Sequence, residues 1–303
     1  MLKTMNDLTR PFVSVIIPVY NDLERLKTCL EALEEQTYPG NLYEVIVVNN
    51  NPLQNIEPFI VNFNHVRLVC ESHRSSYAAR NKGILNARGS VIAFTDSDCI
   101  PKSDWIEKGV TNLLHEPHCG LVAGRIEVFC SDPGNPTAIE LYEKITAFKQ
   151  ERYVEKLRFG ATANLFTFKD IIQKIGCFND TLLSSGDFEW GNRVFQAGHK
   201  QVYADDTCVS HPALKTFGQR FRKRMRIIRG KHKSGTLNFS LRLFIKRLLL
   251  PLKEAKKVVF EGKYDEFLTG KKQKLKFSAV YFFDSYVWTF GSLVINLFGR
   301  KKR

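Results

Sequence analysis

Apolar positions follow two alternating rhythms along the first hundred residues. Phe12 to Val19 reads as a buried strand stopped at Pro18. Asn21 or Asp22 can cap a helix running to about Gln36, on which Leu23, Leu26, Leu30 and Leu33 share one face. Glu44 to Val48 predicts a second strand and His65 to Cys70 a third. Ser76 to Arg88 predicts a helix with Gly89 just past its end, and Val91 onward a fourth strand. Strands alternating with helices imply an α/β fold with a mostly parallel, doubly wound central sheet flanked by helices.

Beyond residue 100 the pattern loosens. Ser103 to His115 predicts a helix, Gly120 to Phe129 a strand, and Ile139 to Leu157 one long helix of mixed charge. A strand follows at Leu165 to Phe168, then helices at Lys169 to Ile175 and from Gly186 to Ala197. The tail has a different character. Leu237, Leu241, Phe244, Ile245, Leu248 and Leu252 fall in one helical stripe, with Arg242 and Lys246 opposite. Phe277 to Phe298 is long and aromatic but carries Asp284, which would be costly at mid-membrane; an interfacial or re-entrant helix pair is expected rather than a span.

Charge sharpens that division. Residues 214–303 hold 24 Lys+Arg against 5 Asp+Glu, whereas residues 1–213 hold 21 against 26. A near-neutral domain with a basic tail points to an anionic partner, lipid or nucleic acid. A basic amphipathic helix, and the cationic end Gly299 to Arg303, favour a membrane surface. Nucleic acid is disfavoured because the tail's aromatics do not interleave with its cations as a stacking platform would. Seven scattered cysteines without C-x-x-C spacing argue against a disulfide framework or a zinc site, and suit a reducing compartment. Met1 to Arg10 has no apolar stretch of signal-peptide type.

The chemistry concentrates where the fourth strand ends, at Thr95-Asp96-Ser97-Asp98. Two carboxylates at the end of a buried strand are costly unless paired or bound to a cation. That edge of an open α/β sheet is where ligands bind. Hard oxygen ligands there suit Mg²⁺ or Mn²⁺ bridging a diphosphate. A polar loop after a strand is the plainer alternative.

Several segments in order resemble the family 2 glycosyltransferases, which have the GT-A nucleotide-diphospho-sugar transferase fold. They are Val15 to Asn21, Val45 to Asn51, Ala79 to Gly83 with Ala87-Arg88-Gly89, Phe94 to Asp98 with Trp105, Gly160 to Asn164, Gly176-Cys177-Phe178, Gly186 to Glu189 with Arg193, and His211-Pro212. The resemblance spans roughly residues 12–230. It implies a catalytic domain over 1–230, with a nucleotide-binding half at 12–100 and an acceptor-binding half at 101–230, followed by a basic helical tail at 231–303. It also implies sugar transfer from a nucleotide-diphospho-sugar, commonly a UDP-sugar, to an acceptor hydroxyl with inversion. Surface polysaccharide, glycolipid or lipid-linked glycan synthesis on the cytoplasmic face of a membrane is the expected setting.

By the same resemblance Pro18, Tyr20, Asn21, Asn49, Arg80, Asn81, Asn164 and Arg226 would contact the donor. Asp96, Asp98 and His211 would hold Mn²⁺ or Mg²⁺, with Asp96 also near the ribose. Asp187 would be the general base, with Glu189 its rival. Asn49 stands where an aspartate is usual, and Gly186 where many relatives carry glutamate. Those departures leave open a catalytically degenerate fold that binds glycan or membrane only. Each residue also has an ordinary structural role available: Asn21 as a helix cap, Arg80 on a solvated helix face, His211 as a packed core histidine. Asp187 or Glu189 could simply complement a helix dipole. Phe188 and Trp190 are expected to pack or stack near the acceptor. Arg222, Arg226 and Arg229 share one helix face, suited to phosphate or to solvent.

Overall fold

The computed structural model describes residues 10–237 and 240–298. The first nine residues and the cationic cluster Gly299 to Arg303 lie outside the described residues. Eight strands form one sheet in the order β3-β2-β1-β4-β7-β6-β8-β5. They are β1 (Val13–Val19), β2 (Tyr43–Asn49), β3 (Val66–Cys70), β4 (Val91–Thr95), β5 (Ile100–Pro101), β6 (Cys119–Phe129), β7 (Asn164–Phe168) and β8 (Lys200–Pro212). Among the helices are α1 (Leu23–Glu34), α2 (Glu57–Ile60), α3 (Ser76–Asn86), α4 (Trp105–His115), α5 (Ala138–Thr146), α6 (Gln150–Arg152), α7 (Lys169–Ile175), α8 (Gly186–Gln196), α9 (Phe217–Lys233), α10 (Leu241–Phe260) and α11 (Lys271–Phe298).

The sheet is mixed rather than mostly parallel. β1 pairs in parallel with β2 and β4, and β2 with β3, but β7 runs antiparallel to both β4 and β6. The reversal costs nothing in hydrogen bonding, because antiparallel ladders are at least as favourable as parallel ones. It leaves β1 flanked on one side by β2 and on the other by β4. Chain order therefore reverses at β1, the kind of switch point beside which open α/β sheets bind ligands, beyond the carboxyl ends of β1 and β4. β1, β2 and β4 are almost wholly buried, as unbroken Val/Ile runs predict. α3 lies close on β1 because Gly83 has no side chain: a Cβ there would meet Ile16 Cγ2 at 2.5 Å.

Two compact units emerge, and they do not follow chain order. One comprises the residues up to Glu127 with Lys149–Thr181 and Gly186–His211; the other comprises Val128–Phe148, Leu182–Ser185 and the chain from Pro212 onward. α5 and α9 thus group with the tail helices. The second unit has its own core of Ile139, Tyr142, Ile145, Val258, Leu268, Phe277 and Val280.

Three expectations are corrected. The helix expected over 139–157 breaks after Thr146; Phe148 has φ 48°, and a π-type turn at Tyr153–Leu157 follows α6. The stretch containing Asp284 is one continuous 28-residue helix, not a pair. Its aspartate is buried against Arg220 (Nε to Oδ1, 2.7 Å), Arg224 and the Tyr142 hydroxyl (3.1 Å), so no membrane is needed to explain it. Of the apolar stripe in α10, Leu241, Ile245 and Leu252 face outward, while Phe244 turns onto Phe290 of α11 and Leu237 precedes the helix. Among the described residues no helix is long and apolar enough to cross a membrane.

Candidate active site

β4 ends at Thr95, and the loop after it carries both aspartates just beyond the carboxyl end of the strand. Their partners differ. Asp96 receives the Arg80 Nη2 at 2.5 Å; Asp98 meets His211 Nε2 at 3.5 Å and Arg25 Nη1 at 3.6 Å. Burial pushes the Asp98 carboxyl above the usual aspartate range; His211 opposes this and the neighbouring Asp96 adds to it. The ligand atoms of Asp98, Cys99 and His211 lie within 4.8 Å of one another. Asp96 is not in that group, because Arg80 has claimed it. A hard divalent ion is matched by Asp98 and His211, not by Cys99. The Cys99 thiol is buried, points at the Ala163 carbonyl (3.7 Å), and is held protonated by burial and by the two aspartates.

Arg80 itself is 4% exposed. Its guanidinium also lies 5.7 Å from the Tyr77 ring centroid, and its Nε has no hydrogen-bond partner among the described residues. An orphaned buried donor is costly and is suited to an incoming oxygen acceptor. The carboxylate Asp98, the imidazole of His211 and this unused donor together fit a metal–diphosphate group.

Asp187 opens α8. Its Oδ1 accepts from the Phe188 amide (2.9 Å) and lies 3.5 Å from the Tyr77 hydroxyl. Gly186 is required by this packing: a Cβ there would meet the Tyr77 ring at 2.7 Å, so a glutamate at 186 has no room while Tyr77 stays. Burial raises the Asp187 pKa, partly offset by the Phe188 amide and Arg80, while Asp96 raises it further. Asp187, Arg80 and Asp96 are therefore within electrostatic reach of one another. A carboxylate whose proton affinity is raised is suited to act as a general base.

The remaining predicted residues divide. Tyr20 is 41% exposed with Arg74 stacked over its ring at 4.6 Å, and Pro18 is half-buried. Asn21 takes φ 61°, which asparagine tolerates, and accepts from the Asn51 amide. Four further side chains, of Asn49, Asn81, Asn164 and Glu189, have partners within the chain. Asn49 donates to the Gln54 carbonyl (2.8 Å) and accepts from the Asn51 amide (2.9 Å), shaping its own loop. Asn81 pairs both ends with the Phe178 backbone, at 2.8 and 3.0 Å. Asn164 is 0% exposed; it accepts from Trp105 and donates to the Arg125 and Thr207 carbonyls. Glu189 is engaged with Arg193, at 2.7 and 3.1 Å, and Arg193 in turn binds the Ile175 and Cys177 carbonyls. Trp190 is buried, donating to the Gly176 carbonyl at 3.0 Å. Arg226 belongs to the second unit and is exposed there.

Sequence reasoning did not pick out Tyr77 or Arg25. Tyr77 sits two residues from the Ala79-Arg80-Asn81 motif; Arg25 lies one turn past the Asp22 cap, whose side chain accepts from the Arg25 amide at 3.4 Å.

Comparison with known proteins bears on the family and the fold. Residues 14–176 match the model for glycosyl transferase family 2. The chain is 37% identical over 228 residues to the glycosyltransferase AglE of Haloferax volcanii, covering 74% of each protein. It is 22% identical over 225 residues, 70% of each protein, to a dolichyl N-acetyl-alpha-D-glucosaminyl phosphate 3-beta-D-2,3-diacetamido-2,3-dideoxy-beta-D-glucuronosyltransferase of Methanococcus voltae. The fold is shared, at TM-score 0.63 and 18% identity, with the mannosyltransferase PcManGT of Pyrobaculum calidifontis solved with GDP-Man and Mn²⁺; the alignment covers 97% of this chain and 89% of that one. With the family motifs in order on a GT-A sheet and their acids gathered at its carboxyl edge, the chain belongs to glycosyl transferase family 2 and is a glycosyltransferase.

Proposed function

We propose that this glycosyltransferase moves a sugar from a nucleotide-diphospho-sugar to an acceptor hydroxyl in one inverting displacement that depends on Mn²⁺ or Mg²⁺. The observation that carries the reading is that the Asp98–His211 pair and the raised Asp187 carboxyl both neighbour Asp96, which Arg80 holds. A bound divalent ion would neutralise the leaving diphosphate. Asp98 and His211 would hold it. Arg80 keeps Asp96 oriented and has a free donor for a donor-substrate oxygen. Tyr20, backed by Arg74, offers a ring on which the base can stack. Asp187 takes the acceptor proton as the alcohol attacks the anomeric carbon, and Tyr77 orients that carboxylate.

A UDP-sugar is the family expectation for the donor. The acceptor is a glycan or lipid-linked glycan, with transfer at the cytoplasmic face of a membrane. The basic tail with its outward leucines, and seven free cysteines suited to a reducing compartment, support that setting. Incubating the purified chain with UDP- and GDP-sugars, with and without Mn²⁺, and reading products by mass spectrometry tests the reading. Transfer that requires the ion and disappears in Asp98→Asn is the expected result. Undiminished transfer by that variant in chelator would overturn it.

A further inference from the structure

The second unit gathers three cations around one indole. Arg224, Lys231 and Arg247 lie 5.1, 5.5 and 5.7 Å from the Trp288 ring centroid. They come from α9, α10 and, for the ring, α11. Only Arg224 has a carboxylate, Asp284; among the described residues Lys231 and Arg247 form no ion pair. Both are half-buried, so their charges are partly stripped of water and face each other across the ring. Burial, then Arg247 and Arg224, lowers the Lys231 pKa, and burial lowers that of Arg247. A ring face offsets part of the cost of a buried cation, but two of the three like charges on this ring, Lys231 and Arg247, have no counter-ion among the described residues.

The surface beside this cluster is apolar. On α10, Leu241 (72% exposed), Ile245 (51%), Leu249 (53%) and Leu252 (56%) form one outward stripe, bordered by exposed Arg242, Lys246 and Lys253. The far end of α11 adds Phe290, Val294 and Leu297, all at least half exposed. Phe244 and Phe290, in edge contact at 5.8 Å, join the two faces one turn from Arg247 and Trp288. Protein interfaces are depleted in lysine, whereas helices lying in a bilayer surface combine an outward apolar stripe with basic flanks.

We propose that Lys231 and Arg247, set about Trp288, bind the phosphate of an anionic phospholipid headgroup, seating the apolar faces of α10 and α11 in a negatively charged bilayer surface. The inference rests on the membrane-surface setting above and adds a specific headgroup site to it.

Trp288 is its own reporter, because the other two tryptophans, Trp105 and Trp190, are 0% exposed. The full chain is mixed with phosphatidylcholine vesicles, with and without phosphatidylglycerol, carrying ordinary or brominated acyl chains. Flotation and tryptophan fluorescence are read together. Binding to phosphatidylglycerol vesicles is expected, with quenching by brominated chains that disappears in Trp288→Phe. The double variant Lys231→Gln, Arg247→Gln should bind these vesicles about thirty-fold more weakly, at roughly fivefold per lost charge. Lys271→Gln, Lys272→Gln removes equal charge from the other end of α11 and should cost far less. Failure of the wild type to bind phosphatidylglycerol vesicles would sink the membrane setting and the site with it. Binding unchanged in the first double variant, or weakened equally by the second, would overturn the site and leave the setting standing. A Trp288 response to inorganic phosphate without any vesicle binding would also overturn it, as a free-phosphate site.

Discussion

Asp98 and Asp284 are both aspartates removed from water, and their surroundings are opposites. Asp98 has the His211 imidazole at 3.5 Å and the Arg25 guanidinium at 3.6 Å, and its carboxyl is pushed up by burial. Asp284 is gripped by two guanidiniums and a tyrosine hydroxyl. The neighbours of each follow suit. Asp187 is held up, chiefly by burial. In the second unit burial also raises Glu143 and Glu140, but Lys223 and Arg220 outweigh it for Glu143, and the Ser131 and Thr137 amides bring Glu140 down to about 2. Glu44, at the opposite end of the strands from Asp98, is likewise lowered on balance, burial being overcome by the Arg88 amide, Ser14 and two arginines. Carboxylates that hold the fold together are saturated by the chain. Asp98 and Asp187, beyond the carboxyl end of the sheet, are instead held up by burial, the pattern of acids whose balancing charge would arrive with a substrate.

The contrast can be broken at either end. The largest effect is expected from Asp187→Asn, which should lower kcat by about 10²–10⁴-fold with little change in donor KM or in the melting curve. A loss in stability instead of rate would place Asp187 with the structural acids. Next comes Asp284→Asn, which strands two buried guanidiniums and should cost about 3–5 kcal/mol, read from the urea midpoint. Should it cost nothing measurable, the second network is ornamental and the comparison fails. The smallest effect sharpens the sign. A carboxylate whose folded pKa lies above its unfolded value stabilises only while protonated; that contribution is present below the unfolded pKa and is lost as pH rises through the folded one. Without divalent ions, Asp98→Asn should therefore raise Tm slightly at neutral pH, the gain vanishing in acid, while Mn²⁺ should raise Tm in the wild type and not in the variant.

The strands that carry the site were legible because buried parallel strands read as apolar runs, and Asp96 and Asp98 stand out at the end of one. The partners of polar side chains were not. Asn81 meets Phe178 across 97 positions, and Arg80 meets Asp96 across 16. No local pattern reports such a pairing, so amides already occupied by backbone looked like free ligand contacts. β8 has no long apolar run to announce it, since its first half is polar and partly exposed. The break after Thr146 had no glycine or proline to announce it; Phe148 itself takes the left-handed conformation. Asp284 was read as a cost because its three partners lie 60 or more residues away.

α3 has a consequence for what this enzyme can accept. Within two turns, Tyr77 reaches Asp187, Arg80 reaches Asp96, and Asn81 clamps the segment leading toward α8. On the roles proposed above, one eleven-residue rod, roughly 16 Å long, would gauge the gap between the phosphate side and the proton-accepting side. Donors that differ in ring substituents leave that gauge untouched. An acceptor whose nucleophilic oxygen stood at another depth would need the whole rod moved, so new acceptors have to be won in the loops around it.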